Sequence, residues 1–396
     1  MSSQRNILIM MGSFNMGGAE SQAVQLVRLL LESGRFRVHL ACLMREGVLL
    51  EEALKLGLDD ITEFPLTSFY DRNMVVQLRR FRHYLKEREI EVAHSQDFYM
   101  NTFGILGAAL SSVPVRIAFC GEMAANRTRA HLILQRNSLR LATAIHANSE
   151  AVRQDLLREG VPAEKITVVY NGLDLARVHA PQGFQRDEAL AAFGLPTSGR
   201  RFVSIVANLR HEVKDHPMFL RAARRVRDKV SDAAFVIAGE GELEGSIRAL
   251  AAELGLERDV FFTGRCERLA EMLAVSEVCV LSSKSEGFSN SILEYMGAGR
   301  AVVVTDVGGA REVVTDGETG YLIASGDDET MAARIVSLLD EPERARLMGE
   351  RGRQLIERKF SSRAQLENTE RLYERLLEKL GPTRAGLTGS VRREGA

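Results

Sequence analysis

Short apolar runs alternate with longer amphipathic ones along this chain, and the alternation starts afresh once. Residues 6–11, 38–43, 91–94, 115–119, 144–147 and 166–169 are compact apolar runs. Segments of helical spacing separate them. In residues 19–31, for example, Ala23, Leu26, Val27 and Leu30 share one face. A strand, a helix and a further strand in repetition make a parallel sheet with helices on both faces. The rhythm breaks at 179–201, where Pro181, Gly183, Gly194, Pro196 and Gly199 cluster around a short amphipathic piece at 186–193. A second series then runs through 202–207, 234–238, 260–263, 278–281 and 301–305, with helical stretches such as 217–230 and 243–254 between them. Three long helical segments follow, at 330–339, 342–359 and 363–380.

A chain of 396 residues suits two domains. The expectation is an α/β chain of two doubly wound units, 1–180 and 201–362, joined by a linker at 181–200. Residues 381–396 carry Gly, Thr and Arg without periodicity and read as a disordered tail. Ligands of open α/β sheets bind beyond the carboxyl ends of the strands. Two such sheets facing each other define one cleft.

Lysines and arginines number 52 against 53 acids, a net charge of -1. That balance speaks against bulk nucleic-acid binding. Cys42, Cys120, Cys266 and Cys279 show no Cys-x-x-Cys spacing, and no secretory leader is recognisable. They read as small buried residues in a reducing cytoplasm. No apolar run reaches the roughly 18 residues that span a bilayer, so membrane contact is expected to be peripheral.

The segment Glu286-Gly-Phe-Ser-Asn-Ser-Ile-Leu-Glu294 carries the most chemistry. Asn290 or Ser289 can cap a helix whose buried stripe begins at Ile292 and Leu293. Glu286 then lies in the loop before the helix and Glu294 about one turn into it. Free N–H groups at a helix start suit an anion. One short segment thus combines a phosphate site with two hydroxyl-binding carboxylates, as a nucleotide-sugar requires. After the first strand comes Gly12-Ser-Phe-Asn-Met-Gly17-Gly18-Ala19-Glu20. It has neither the dinucleotide fingerprint nor the P-loop lysine. On its residues alone a plain turn and a phosphate cradle fit equally. Asn208-Leu-Arg210-His-Glu-Val-Lys214 follows the first strand of the second unit. Lys214 can hold a diphosphate as a point charge and Arg210 as a fork, although such loops are usually just solvated. His94 ends a strand of the first unit and can line the cleft; a packed strand-end histidine is the commoner case. No histidine cluster or Asp-x-Asp run demands a metal.

These residues resemble the family-4 retaining glycosyltransferases (glycosyl transferases group 1). The likeness runs from Gly17 to about Asp327. It covers the Gly17-Gly18-x-Glu20 loop, Lys214, Gly239-Glu-Gly241, Phe262-Thr-Gly264-Arg265, the whole stretch around Glu286 and Glu294, and Asp306-Val-Gly308-Gly309 with Glu312, Gly317 and Gly320. It implies the GT-B fold: two Rossmann-like domains, the second holding the donor, with the final helix (363–380) crossing back onto the first. It implies that Glu286 contacts the donor sugar and Glu294 the ribose. Phe288, Ser289 and Asn290 then present backbone near the sugar and phosphates, and Arg265 neighbours the base. Gly17 and Gly18 face the donor phosphates and the acceptor. The family's leaving-group arginine aligns with Asn208 here, and Arg210 stands two places on. Where many members carry a histidine after the fifth strand, this chain has Cys120 and Gly121; Glu122 is the nearest polar replacement.

The resemblance implies transfer of a sugar from a UDP- or GDP-sugar to a hydroxyl of a glycan or lipid-linked acceptor, with retention and without a metal or other cofactor. Departure and attack would share one face, and the leaving phosphate would take the acceptor's proton. Cell-surface polysaccharide or glycolipid synthesis is the expected setting. Two other classes stay open: a sugar-nucleotide epimerase, and a non-catalytic binding protein of the same fold. Two basic clusters, Arg79, Arg80, Arg82, His83, Lys86 and Arg88, and then Arg127, Arg129, Arg136 and Arg140, read most simply as solvated helix faces. Docking to an anionic inner-membrane surface is the alternative.

Overall fold

The computed structural model describes residues 4–58, 60–123 and 128–379. Arg127 of the second basic cluster and the tail expected at 381–396 lie outside them. Two all-parallel sheets organise the chain. The first contains β1 (Arg5–Met11), β2 (Phe36–Cys42), β3 (Ile61–Glu63), β4 (Val92–Ser95), β5 (Val115–Cys120), β6 (Ala144–Ala147) and β7 (Ile166–Val168). The second contains β8 (Arg201–Val206), β9 (Ala233–Ala238), β10 (Val260–Gly264), β11 (Ser276–Leu281), β12 (Ala301–Thr305) and β13 (Tyr321–Ile323). Their orders are β3-β2-β1-β4-β5-β6-β7 and β10-β9-β8-β11-β12-β13. Both are Rossmann-like, winding outward from a central strand and then reversing.

Strands buried on both faces explain the continuous apolar runs. In β1, Ile7 and Ile9 enter one core while Leu8 and Met10 enter the opposite one. All four are fully buried. The edge strands β3 and β13 have three residues each and were not foreseen, whereas the equally short edge strand β7 stood out within the apolar run 166–169. The expected linker also differs. Its helix Arg186–Ala192 buries Ala189 and Leu190 against Phe202, Ala234 and Met272 of the second unit, and Arg186 pairs with Glu277 at 2.7 Å. Gly and Pro mark turns; they do not reveal whether the piece between them is packed.

The two passages between the sheets lie side by side. Leu173 N donates to Phe360 O at 2.8 Å, and Ser362 N donates to Leu173 O at 2.9 Å. The last helix, Ser362–Glu378, then packs on the helix Gly18–Ser33 of the first unit. Its Leu372, Tyr373 and Leu377 complete the first core. Beneath it runs a buried polar chain. His146 Nε2 bonds the Val169 carbonyl at 2.9 Å, so that nitrogen carries the proton. His146 Nδ1 must then accept from His94 Nε2 at 3.1 Å. His94 Nδ1 in turn accepts from Tyr373 Oη at 2.8 Å. One tautomer of each ring satisfies every link.

Burial holds the His94 ring well below its usual range, and the neighbouring His146 adds to the effect. Burial likewise pushes His146 down to about 4. Both are therefore neutral in the fold at pH 7. A depressed histidine contributes stability that is present above the unfolded value of about 6.5 and lost as pH falls through the folded one. Tyr373→Phe leaves His94 Nδ1 without its donor. Urea unfolding at pH 7.5 should show a loss of about 1–3 kcal/mol. Wild-type stability should fall between pH 6.5 and 4, and fall less in His146→Gln; equal slopes in the two proteins would refute the neutral-histidine chain.

Candidate active site

Each sheet reverses its winding between two strands: β1 and β4 in the first, β8 and β11 in the second. The crevice outside such a reversal is where these sheets hold ligands. Here the two crevices open into one cavity of about 1600 Å³. Gly17, Gly18, Glu122, Asn208, Arg210, Lys214, Arg265, Glu286, Phe288, Ser289, Asn290 and Glu294 all line it.

His94 does not. It is fully buried inside the first unit, within the histidine–tyrosine chain. Strand alternation decides which way a strand-end residue points, and His94 turns toward the helix layer that carries Tyr373.

Lys214 is strapped to the loop that carries Glu286. Lys284 N donates to Val213 O at 2.7 Å, and Ser282 Oγ donates to Lys214 O at 2.8 Å. Lys214 Nζ lies 2.7 Å from Glu286 Oε1, which also accepts from Ser283 Oγ at 2.6 Å. Both charged side chains are mostly shielded, 17% and 14% exposed. Each half-buried charge thus has its partner, as burial requires. Arg210 is more exposed and faces Glu240 at 3.7 Å.

Two helices of eight or more residues start at this cavity without a side-chain cap. Gly17 precedes Gly18–Ser33, and Ser289 precedes Asn290–Gly297; neither offers a capping hydrogen bond. By contrast Asp97, at the same cavity, and Asp71, Thr128, Ser149, Asp327 and Ser361 do cap their helices. Open amides at a helix start attract anions through hydrogen bonding and the helix dipole. Asn290, a candidate cap by sequence, spends its side chain between the two units instead. It donates to Gly18 O at 3.2 Å and accepts from Asn171 Nδ2 at 2.9 Å. The Phe288 ring turns away into a cluster with Tyr170 and Phe360, which leaves its backbone toward the cleft.

The units touch closely at Gly287. Its carbonyl accepts from Ser149 Oγ of the first unit at 3.1 Å and from Gly309 N at 2.9 Å. A Cβ built at Gly287 would overlap the carbonyl of Gly121 across the cleft. Nearby, the Glu312 carboxylate accepts from Glu150 N at 2.7 Å and Ala151 N at 2.9 Å. It thus docks on the start of the helix Glu150–Arg158 in the other unit, where the helix dipole favours it.

Burial pushes the Glu294 carboxyl up to about 7, against the pull of Arg177 and Lys214. Arg177 also lines the cavity and escaped the sequence reading, because a lone arginine after a short turn carries no pattern. Glu20 is raised by burial, with Asp97 and Glu122 adding negative potential. Gln96 and Asn148 were missed for the same reason as Arg177. Both line the cavity, both are buried, and Gln96 Nε2 and Asn148 Oδ1 have no protein partner.

Residues 16–177 match the family profile described as Glycosyltransferase Family 4, and residues 187–355 match Glycosyl transferases group 1. The chain is 36% identical to putative glycosyltransferase EpsD of Bacillus subtilis over 160 residues, which span 40% of this chain and 42% of that protein. It is 27% identical to the lipopolysaccharide core biosynthesis mannosyltransferase LpcC of Rhizobium leguminosarum, over 73% of this chain and 80% of that one. HepE of Anabaena, solved with UDP and glucose, superposes with a TM-score of 0.82 at 16% identity, covering 93% of this chain and 99% of that one. The architecture is GT-B.

The seam at Gly287 yields a direct test. Gly287→Ala should force the units apart without unfolding either. Small-angle scattering should show a larger radius of gyration. An unchanged radius would show that the seam yields locally.

Proposed function

The chain belongs to the family-4 glycosyltransferases, and from that premise we propose that it moves a sugar from a UDP- or GDP-sugar to a hydroxyl of a glycan or lipid-linked acceptor, with retention. One observation carries the reading: the Lys214–Glu286 pair and two uncapped helix starts converge in a single cleft. The chemical problem is charge separation. The sugar becomes oxocarbenium-like as a diphosphate departs. Lys214, Arg210 and the open amides at Gly18 and Asn290 are preorganised to stabilise that leaving group, the kind of electrostatic effect that dominates many enzymes. Cationic side chains supply this charge, so the proposed reaction needs no cofactor.

Glu286 holds the sugar's hydroxyls. It is already oriented by Ser283 and Lys214. When the diphosphate arrives, Lys214 can turn to it and release the Glu286 oxygen to the sugar. Glu294 receives the ribose hydroxyls, and Arg265 lies by the base. Departure and attack on the same face, with the leaving phosphate taking the acceptor's proton, need no protein nucleophile. The name of LpcC supports a place in polysaccharide or glycolipid synthesis.

No helix among the described residues is long and apolar enough to cross a membrane. Work at the cytoplasmic membrane face finds support in the helix Arg72–Glu87. It exposes Val75 and Val76 beside the exposed Arg79 and Lys86, a pairing suited to anionic lipid.

Lys214→Ala or Glu286→Ala should lower kcat by roughly 10²–10³ while circular dichroism stays native. Full activity in either variant would remove that residue from the mechanism. Incubation with donor alone should give no epimer. The Glu294 carboxyl near 7 adds a pH test. Binding ribose hydroxyls favours the charged form, so nucleotide-sugar affinity should rise severalfold from pH 6 to pH 8 by calorimetry. Glu294→Gln should lose that rise; a flat wild-type profile would contradict the assignment.

A further inference from the structure

Two amides stand open on the wall that the first unit gives to the cleft. Gln96 follows β4 and Asn148 follows β6, and β5 runs between those strands. Their backbones are fixed. Gln96 N donates to Met10 O at 2.8 Å, and Asn148 N donates to Cys120 O at 3.3 Å. The two residues are 5% and 4% exposed. Gln96 Nε2 and Asn148 Oδ1 have no protein partner, and among the described residues they are the buried, unpartnered side-chain polar atoms that line the cleft. Asn148 Nδ2 donates to Gly121 O at 3.4 Å, which orients that amide and leaves Oδ1 as an open acceptor.

Asn148 lies at the seam between the units. A Cβ built at Gly287 would come 3.4 Å from Asn148 Oδ1, besides overlapping the carbonyl of Gly121. The residue before Gly287 is Glu286, whose Oε1 is held by Ser283 and Lys214. Asn148 Oδ1 therefore opens beside the loop that carries Glu286. Gln96 lines the same cavity from the other flank of β5. Neighbouring strands lie about 4.8 Å apart, so β4 and β6 stand roughly 10 Å from each other. One pyranose ring with a hydrogen bond at each edge bridges such a gap. A buried donor or acceptor left open is costly and calls for a ligand group or a water of the opposite role. The roles here are complementary: Asn148 Oδ1 needs an O–H or N–H, and Gln96 Nε2 needs an oxygen.

We propose that Asn148 and Gln96 bind the sugar being transferred and fix its rotation against Glu286. One hydroxyl donates to Asn148 Oδ1, and a hydroxyl oxygen on the opposite edge of the ring accepts from Gln96 Nε2. Glu286 approaches the ring from the second unit, so both units hold it at once. The two amides read where the hydroxyls stand. A sugar lacking the hydroxyl that faces Asn148 leaves Oδ1 buried and unpaired, and sites of this kind reject such analogues strongly. The inference rests on the glycosyltransferase reading above and adds the first unit's share in selecting the donor sugar.

The test uses the full chain and titration calorimetry. UDP and GDP are compared first. The tightest hexose conjugate of the nucleotide that binds is then the parent donor for a series in which each sugar hydroxyl in turn is replaced by hydrogen. In the wild type, at least two deoxy donors should bind about fivefold or more weaker than the parent. Asn148→Ala should weaken the parent by a similar factor and erase the penalty at one position. Gln96→Met should erase it at a different position. Asn148→Asp keeps an acceptor oxygen in place and should keep the penalty that Asn148→Ala loses. Free nucleotide should bind Asn148→Ala and Gln96→Met as it binds the wild type. A wild type indifferent to every deoxy change would overturn the inference without any variant. Penalties that persist in both variants would overturn it too, since Glu286 would then be the reader. So would variants that bind every donor normally and change only the KM of the acceptor. Failure of both UDP and GDP to bind would overturn the underlying reading first.

Discussion

A seam of bare backbone at Gly287 governs this molecule. Two sheets can share a cleft only where their loops meet, and here the meeting is peptide against peptide, with no room for a methyl group. The residues on either side of the seam divide the labour. Glu286 turns into the cavity toward Lys214. Phe288 turns out into an aromatic cluster beside the interdomain passages. Ser149, Asn290 and Glu312 stitch the edges from both units. None of these bonds is strong in isolation. Together they set how far Gly18 stands from Asn290, and thus the spacing of the two open helix starts.

Charge follows the same geometry. Lys214 and Glu286 neutralise each other in a mostly shielded place, and the backbone of one is tied to the loop of the other. The first unit contributes its acids to the far wall. The cations that line the cleft thus lie on one side of it among the described residues, while its acids lie on both.

Most of the architecture was legible because long apolar runs and helical stripes are periodic. The two doubly wound units and the loops after their central strands followed from rhythm alone. The glutamate pair was legible for another reason: a helix start, a glycine turn and two carboxylates form a local pattern. What escaped depends on tertiary placement. Ile61–Glu63 and Tyr321–Ile323 are strands only because a longer neighbour offers an edge. His94 looked like a cleft residue, yet it points into the layer closed by Tyr373. Arg177, Gln96 and Asn148 are single polar residues at the end of a 3-10 helix and just after two strands, and only the closing of the two sheets makes them neighbours of one cavity. Glu312 fitted a family pattern, but its docking on the helix of the other unit needed coordinates.

The helix Ser362–Glu378 belongs by packing to the sheet that begins at Arg5. On the ribosome, the strands of the second sheet emerge contiguously and have their neighbours at hand by residue 323. The first sheet, although synthesised earlier, lacks Leu372, Tyr373 and Leu377 until the chain has grown some fifty residues past the last strand of the second. Its two buried histidines wait with an open acceptor and an uncovered apolar face. The half that is made first is thus the half that matures last, and a nascent chain stalled before residue 373 would expose that face to chaperones.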